Sequence, residues 1–519
     1  MVSICILGGG SSGWMTAAAF AKRFPQYKIR LIENPSHKPL SVGESTLGHI
    51  NRYLHLLGLE DKDWMKECNA TYKVSIQFSN WAGKGEVFQY PFGDMDYTRG
   101  DFLTWYYLHY TYPQLFPNTS FCEFYNPVSY LASTNKMVGD NDYMDEYSHK
   151  WDTSYHFDAT KFGSWLRDNL CQSVEHIKAR IITTLYHDDG HFNDEFLYSA
   201  TVKALVDDEG NHYEADYFID CSGFSSVLLE KSMGQDFIEF PNLPNDSAVV
   251  THIPYNDKES EMKNQTDGYA MDNGWCWTIP LWENIGKGYV YSSKFCSKDE
   301  AEQEFRKHLD WGGDVEHIQF KHGKRRLGWC QNVIGIGLSY GFLEPLESTG
   351  LFTTHENILR LIEVFERRDG YITQIDIDGY NHAVHYELEA MKEFVEMHYY
   401  LSPRTDTEYW RHYANQSPLT YEQMFDKVVR SPRSYQEFIH CWNIANAPKD
   451  LGGIPYIAAG MGYHPLAKSD YEYKIARKEF ALAYLKEVKD RHFHYRKVVL
   501  RWLNKQPSHY QYLKQNIYV

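Results

Sequence analysis

The sequence predicts a mixed α/β fold (α+β in its later part) that opens on a βαβ unit, and three observations carry that reading. An apolar run, Val2-Ser-Ile-Cys-Ile-Leu7, leads directly into Gly8-Gly9-Gly10-Ser11-Ser12-Gly13. A run of small residues from Trp14 to Arg23 then reads as a helix, and a second apolar run, Ile29-Arg-Leu-Ile-Glu33, closes the unit. Further on, alternating and apolar stretches predict more strands up to about residue 340, and the pattern turns mostly helical afterwards.

Taken in order, residues 71–79 alternate: Tyr72, Val74, Ile76 and Phe78 are apolar, while Lys73, Ser75, Gln77 and Ser79 are polar. That predicts one half-exposed strand with Lys73 on its polar side. Between 176 and 220, short strands alternate with turns at Asp188–Gly190 and Asp207–Gly210. Tyr217–Cys221 is an apolar strand ending in Ser222-Gly223, and 332–338 is another entering a turn. Leu351–Arg368 reads as the helix after that turn, and Tyr386–Glu396 is representative of the helical pattern that follows. No fixed-period repeat and no low-complexity linker is visible, so the chain divides into a discontinuous module over 1–385, with substrate-domain strands interleaved in it, and a helical subdomain over 386–519.

Composition narrows the function classes. The 519 residues carry 52 Lys plus Arg against 69 Asp plus Glu, a net charge of -17, which disfavours nucleic acid and anionic membranes as partners. No apolar run is long enough to cross a bilayer, and the start of the chain lacks a basic segment typical of a secretion signal, so a cytoplasmic protein is expected. Nine cysteines without a CxxC pair read as reduced thiols, and no metal site is expected.

Gly8, Gly10 and Gly13 have the spacing of a dinucleotide-binding turn: one glycine for the bend, one for approach of a pyrophosphate, one for close helix packing. Ser11 and Ser12 lie at the helix N-terminus, whose free N–H groups favour an anion. Glu33 follows about 20 residues later, where an acid binds a ribose and disfavours a 2′-phosphate, so FAD or NAD is preferred to NADP. Glycines after two later strands, in Phe218–Gly223 and Val333–Gly337, offer second and third approaches to the same ligand. Gly337 belongs to these, and a cofactor held from several distant segments favours FAD. At Glu344-Pro-Leu346-Glu347-Ser348-Thr349-Gly350 a turn enters a long helix; Ser348 or Thr349 is expected to cap it, and taken alone the stretch reads either as a plain N-cap with two solvated acids or, through the Thr349 and Gly350 amides, as an anion site. Trp275 and Trp277 lie at period two on one strand face.

Together these residues resemble the flavin-dependent tryptophan halogenase family. The resemblance rests on Trp275-x-Trp277-x-Ile279-Pro280, the N-terminal glycine turn, Val42-Gly43-Glu44-Ser45-Thr46, the Lys73 strand, and Gly341-Phe342-Leu343-Glu344-Pro345-Leu346-Glu347-Ser348-Thr349-Gly350, and it extends over nearly the whole chain. It implies a Rossmann-like FAD-binding fold of the flavin monooxygenase type. It also implies an enzyme that uses FAD (as FADH2), O2 and a halide (chloride, bromide or iodide) to make hypohalous acid. That oxidant would pass through a tunnel to Lys73, which either hydrogen-bonds it or forms a haloamine; Glu347 would polarise it or take the arene proton. Cofactor contacts would come from Val42, Glu44, Ser45, Leu346 and Gly350 as well as the glycine turn, and the halide would sit on Thr349 and Gly350. The two tryptophans would discourage direct oxygenation of the substrate. A separate NAD(P)H-dependent reductase would supply FADH2, and a homo-oligomer remains open.

Departures bear on the substrate. The family's His-Pro-Phe-like stretch reads Tyr90-Pro91-Phe92 here, so Tyr90 and Phe92, with Trp442 from the C-terminal part, are the expected substrate-binding residues. The substrate is a small electron-rich arene of indole or phenol type, tryptophan being one candidate. Two other functions share the fold: an FAD-dependent aromatic monooxygenase, which would need neither Lys73 nor a halide, and a non-enzymatic escort protein.

Overall fold

A computed structural model describes residues 2–36, 43–100, 103–187, 200–243, 245–414, 453–463 and 482–519. Two units emerge, both discontinuous in sequence. The first takes 1–70, 156–243 and 319–389; the second takes 71–155, 244–318 and 390–519.

The first unit is built on a six-stranded sheet in which β1 (Ser3–Leu7) is flanked by β2 (Lys28–Glu33) and by Tyr217–Asp220. The sheet continues through Glu175–Lys178 on one side and Val333–Gly335 on the other, all parallel, with Trp329–Cys330 as an antiparallel edge. Parallel strands buried on both faces read as unbroken apolar runs, which is why 2–7 and 29–33 were legible as strands. Helix α1 (Ser11–Arg23) connects β1 to β2, and its small residues Ala17, Ala18 and Ala19 are fully buried. Phe20 meets Phe365 of helix α2 (Thr349–Arg368) edge to face, with ring centroids 5.3 Å apart. The helix expected from Leu351 thus begins two residues earlier. The turn at Asp207–Gly210 is present, with Gly210 N donating to Asp207 O at 3.1 Å; the one at Asp188–Gly190 lies outside the described residues.

In the second unit six strands of the seven-stranded main sheet run in the order Ser247–Ile253, Ile285–Tyr291, Gly274–Pro280, Gln265–Ala270, Ser75–Ser79, Val87–Pro91. Only Gln265–Ala270 and Ser75–Ser79 pair in parallel among these neighbours. Helix Lys298–Leu309 covers one face through Ala301 and Phe305, which pack on Val249, Cys276 and Tyr289. Helical segments Glu408–Ala414, Ile454–Gly460, Leu482–Leu503 and His509–Asn516 belong to the same unit, and Tyr386–Glu396 is part of a longer helix, Gln374–Leu401.

The alternating segment 71–79 departs from expectation. It forms two strands, Thr71–Lys73 and Ser75–Ser79, and its polar positions are covered: Lys73 and Ser75 are fully buried. The polar side chains are satisfied inside the protein instead of by water. Gln265 Nε2 donates to Gln77 Oε1 at 2.7 Å, and Ser79 Oγ donates to Asp267 Oδ1 at 2.8 Å. Desolvation raises the Asp267 carboxyl above its ordinary range. Among the described residues no helix is long and apolar enough to cross a membrane.

Candidate functional site

The cofactor-binding candidates gather in the first unit. Gly8 has φ +124°, and a Cβ there would stand 2.2 Å from Cys221 O, so only glycine makes this bend. A Cβ on Gly13 would fall 1.9 Å from Gly8 O, which is the close packing of α1 on its own turn. Gly10 faces open space, with nothing within 4 Å of where a Cβ would stand. Helix α1 starts at Ser11 and Ser12 with no side-chain cap and no acid in its first turn, leaving its leading amides to an anion. Gly337, with φ +68°, reaches this turn from the far strand: a Cβ there would lie 2.5 Å from Ser12 Oγ.

Glu33 ends β2 with its carboxylate laid over Gly9, where a Cβ would come within 2.1 Å of Oε2. The glycine fingerprint leaves position 9 free; its need for glycine comes from the acid on the next strand. His176 Nε2 stands 3.2 Å from Glu33 Oε1. Asp220 and Ser222 of the second glycine-ended strand are spent on structure: Asp220 Oδ2 accepts from Leu228 N and Leu229 N at 2.7 and 2.8 Å, and Oδ1 accepts from Ser222 Oγ at 2.6 Å. This turn, with its helix-terminal amides, open face and ribose-side acid, fits a dinucleotide such as FAD.

The anion-site candidates occupy the start of α2. Leu346 and Glu347 lie buried in a single 3-10 turn, Pro345–Glu347. Ser348 takes a left-handed conformation, φ +58°, and Thr349 begins the helix. Neither hydroxyl caps it as expected. Ser348 Oγ donates to Ser45 Oγ at 3.1 Å, and Thr349 Oγ1 turns back to Glu344 O at 2.9 Å. This twenty-residue helix has no side-chain cap and no acid in its first turn, so neither offsets the partial positive charge of its N-terminus. Gly350 again faces open space. Glu44 pairs with Phe157 in a short strand, and burial pushes its carboxyl up to about 7. Val42 lies outside the described residues.

The remaining candidates are in the second unit. Lys73 is fully buried, with Nζ 5.0 Å from the centroid of the Phe92 ring. Phe92 meets Tyr90 edge to face at 5.6 Å, and Tyr90 stacks on Tyr456 at 6.0 Å and 22°. The backbone of these aromatics is fixed: Ser75 Oγ donates to Tyr90 O at 3.0 Å and Asn126 Nδ2 to Phe92 O at 3.0 Å. Tyr456 comes from helix Ile454–Gly460, which approaches strand Val87–Pro91 through glycines. A Cβ on Gly453 would lie 2.5 Å from Tyr90 Cε1, and one on Gly460 2.4 Å from Phe88. That pair of glycines bracketing an apolar helical run was the available signal for Tyr456. Trp442 lies outside the described residues.

Trp275 and Trp277 share one face of their strand, ring centroids 6.1 Å apart, and their buried indole nitrogens have no hydrogen-bond partner among the described residues. Trp277 lies over Gly288 of the next strand, where a Cβ would be 2.0 Å from its ring. Pro280, the last residue of this motif, accepts from Thr71 Oγ1 at 2.6 Å, so the motif's end holds the strand that leads to Lys73. Ile279 is buried as well. Thus the structure brings Lys73, Phe92 and Tyr90 together in one unit and places the glycine turn, Glu33, Glu44, Ser45, Gly337, Leu346, Glu347, Thr349 and Gly350 in the other.

The model of the tryptophan halogenase family matches residues 3–468. The chain is 31% identical to the 7-chloro-L-tryptophan 6-halogenase KtzR of Kutzneria sp. (strain 744), with 98% of each chain covered. It is 31% identical to the tryptophan 7-halogenase RebH of Lentzea aerocolonigenes, covering 90% of each. Among solved structures, VirX1 in its apo form shares 40% identity at a TM-score of 0.90, covering 100% of this chain and 99% of that one. BrvH, a flavin-dependent halogenase from Brevundimonas sp. BAL3, shares 29% at a TM-score of 0.81, covering 99% and 98%.

Proposed function

Because the chain belongs to the flavin-dependent tryptophan halogenase family, we propose that it halogenates a small electron-rich arene of indole or phenol type at Lys73. Reduced FAD, delivered by a separate reductase, would supply with O2 and a halide the hypohalous acid that this chemistry consumes. In the transfer itself, the arene carbon gains the halogen and loses a proton, and the hydroxyl of the oxidant leaves as water.

The protein's own residues account for the rest. The amides opening α1 and the Glu33 carboxylate hold the cofactor's pyrophosphate and ribose. The Thr349 and Gly350 amides hold the halide without a basic side chain, in keeping with an acidic protein. The oxidant then travels inside the protein to Lys73, which confines an agent that would otherwise attack anything nearby. Lys73 Nζ presents the halogen to the substrate and donates the proton that lets the oxidant's oxygen leave. Phe92 and Tyr90 offer aromatic faces to the arene. Glu347 is the carboxylate that takes the proton lost from the ring.

The observation that carries this reading is the burial of Lys73 against Phe92. A lysine ammonium withdrawn from water is costly to keep, and such groups concentrate where chemistry needs them. The test is an arene panel incubated with reductase, FAD and chloride, bromide or iodide in turn, read by mass spectrometry. Halide-dependent mass shifts support the proposal; hydroxylated products that form without halide refute it.

A further inference from the structure

The buried lysine is held by its two neighbours in the chain. Val74 N donates to Asn264 O at 2.8 Å, and Tyr72 N donates to Nε2 of His509 at 3.1 Å. His509 is fully buried, and its other nitrogen, Nδ1, faces Met262 O at 3.2 Å. The amides on both sides of Lys73 are therefore tied to one short segment, 262–264, directly on one side and through an imidazole on the other.

That segment is itself fixed. Asn264 Nδ2 donates to Lys136 O at 2.7 Å, Asn264 N to Asn135 Oδ1 at 3.0 Å, and Asn135 Nδ2 to Met262 O at 3.2 Å. His509 N donates to Asn135 O at 2.9 Å, so the same residue that braces 262–264 also seats the last helix, His509–Asn516. A neutral imidazole offers one acceptor and one donor on opposite sides of a rigid ring, which is what spanning Tyr72 N and Met262 O requires. Burial pushes the His509 ring down to about 4, which keeps Nε2 an acceptor at neutral pH.

We propose that His509 is a positioning residue for halogen transfer: it fixes the backbone beside Lys73 so that the lysine meets the oxidant and the arene in register. The inference rests on the proposed role of Lys73. A small displacement of that residue does not stop the oxidant being made; it lets the oxidant escape. The quantity that His509 governs is therefore coupling, the halogenated product formed per O2 consumed.

The experiment compares full-length wild type, H509Q, H509L and H509N with reductase, FAD, bromide and an arene that the wild type accepts. Oxygen uptake, brominated product and oxidant escaping to a β-diketone trap are measured together, with FAD affinity and thermal stability alongside. Glutamine retains an acceptor and a donor, so H509Q keeps coupling near the wild-type value. H509L loses at least tenfold in coupling, with oxygen uptake and FAD affinity unchanged and escaped oxidant increased. Should H509L fail to fold, H509N carries the test: its side chain is too short to reach both partners, and coupling falls while flavin binding persists. Wild-type coupling in H509L or H509N, or an equal loss in H509Q and H509L, overturns the proposal. K73M runs in parallel. Wild-type product from K73M would defeat the lysine's role itself, whatever the histidine variants do.

Discussion

Replacing Lys73 by methionine separates what the residue does for chemistry from what it does for stability. Methionine has nearly the same length and removes the charge. The ammonium contributes a cation–π contact with Phe92 at 5.0 Å, worth about 0.5–2 kcal/mol depending on desolvation. Against this stands the penalty for withdrawing an ammonium from water, several kcal/mol after relaxation. The two oppose each other and Lys73 makes further contacts besides, so K73M should remain folded, with a Tm within about ten degrees of the wild type. Halogenation should fall much further. Loss of a positioned proton donor alone costs roughly 10²–10⁴-fold, and loss of the residue that localises the oxidant adds to that. FAD affinity, measured by flavin fluorescence, should stay as in the wild type, because the glycine turn and Glu33 belong to the other unit. Product is read by mass spectrometry. Halogenation at the wild-type rate would refute the assignment of Lys73.

Four further outcomes are expected. Glu347→Gln should lower turnover by at least tenfold with FAD affinity preserved, since general-base terms are of order 10²–10⁴-fold; an unchanged rate would remove Glu347 from the reaction. Gly9→Ala should displace the Glu33 carboxylate, whose Oε2 would stand 2.1 Å from the new methyl. Losing a hydrogen bond to a charged group costs about 1.5–3 kcal/mol, so FAD should bind about ten- to a hundredfold more weakly, and an unaltered titration would count against the ribose contact. Gly288→Ala should force Trp277 from its seat and cost about 1–3 kcal/mol, visible in Tm and near-UV circular dichroism; an unchanged spectrum would show that the indole does not occupy that space. Glu44→Gln tests a pH effect whose sign is fixed. The folded carboxyl, raised to about 7, holds its proton after the unfolded one has lost it near 4.3, so stability is full below that value and falls as pH rises to about 7. The loss is about 4 kcal/mol. The variant should therefore match the wild type at pH 4 and exceed it at pH 8 in denaturant unfolding, and parallel pH profiles would exclude a desolvated Glu44.

Legibility followed the range of the forces involved. The βαβ unit could be read because its constraints are local: Gly8 must adopt a positive φ and Gly13 must pack on Gly8 O, six residues or fewer apart in the chain. Lys73 could not be read as buried, because the alternation around it reports only which face it takes. What lies against that face includes the Phe92 ring, which comes from beyond the next strand and which the alternation does not report. The start of α2 differs from the expected side-chain cap for a similar reason. Ser348 has a partner in Ser45, about 300 residues earlier, and it competes with the local amides for the hydroxyl. Tyr456 is one tyrosine among 41 and becomes informative only once Gly453 and Gly460 bring its helix onto Tyr90 and Phe88.

The register of the second unit's sheet ties these pieces into one constraint. Across its strands runs a row of polar residues, Gln89, Gln77, Asp267, Thr278 and Lys287, paired in that order. Beside it, on the other face, runs Phe88, Phe78, Gly268, Trp277 and Gly288. A slip of one residue would exchange the two faces, setting carboxylate and amide groups among aromatics and leaving Trp277 opposite Lys287 or Tyr289 rather than a glycine. Only the observed pairing gives the indole room and satisfies the polar row, where Lys287 Nζ donates to Thr278 Oγ1 at 2.7 Å. The same pairing sets Ser75 opposite Pro91 and lets Phe92 N donate to Val74 O at 2.9 Å, which puts the Phe92 ring beside Lys73. The tryptophan motif and the lysine strand are thus linked through a shared ladder, and Thr71, bound to Pro280 O, closes it. A substitution that shifts the ladder at Gly288 should therefore be felt at Lys73 as well as at Trp277, although neither residue would have been changed.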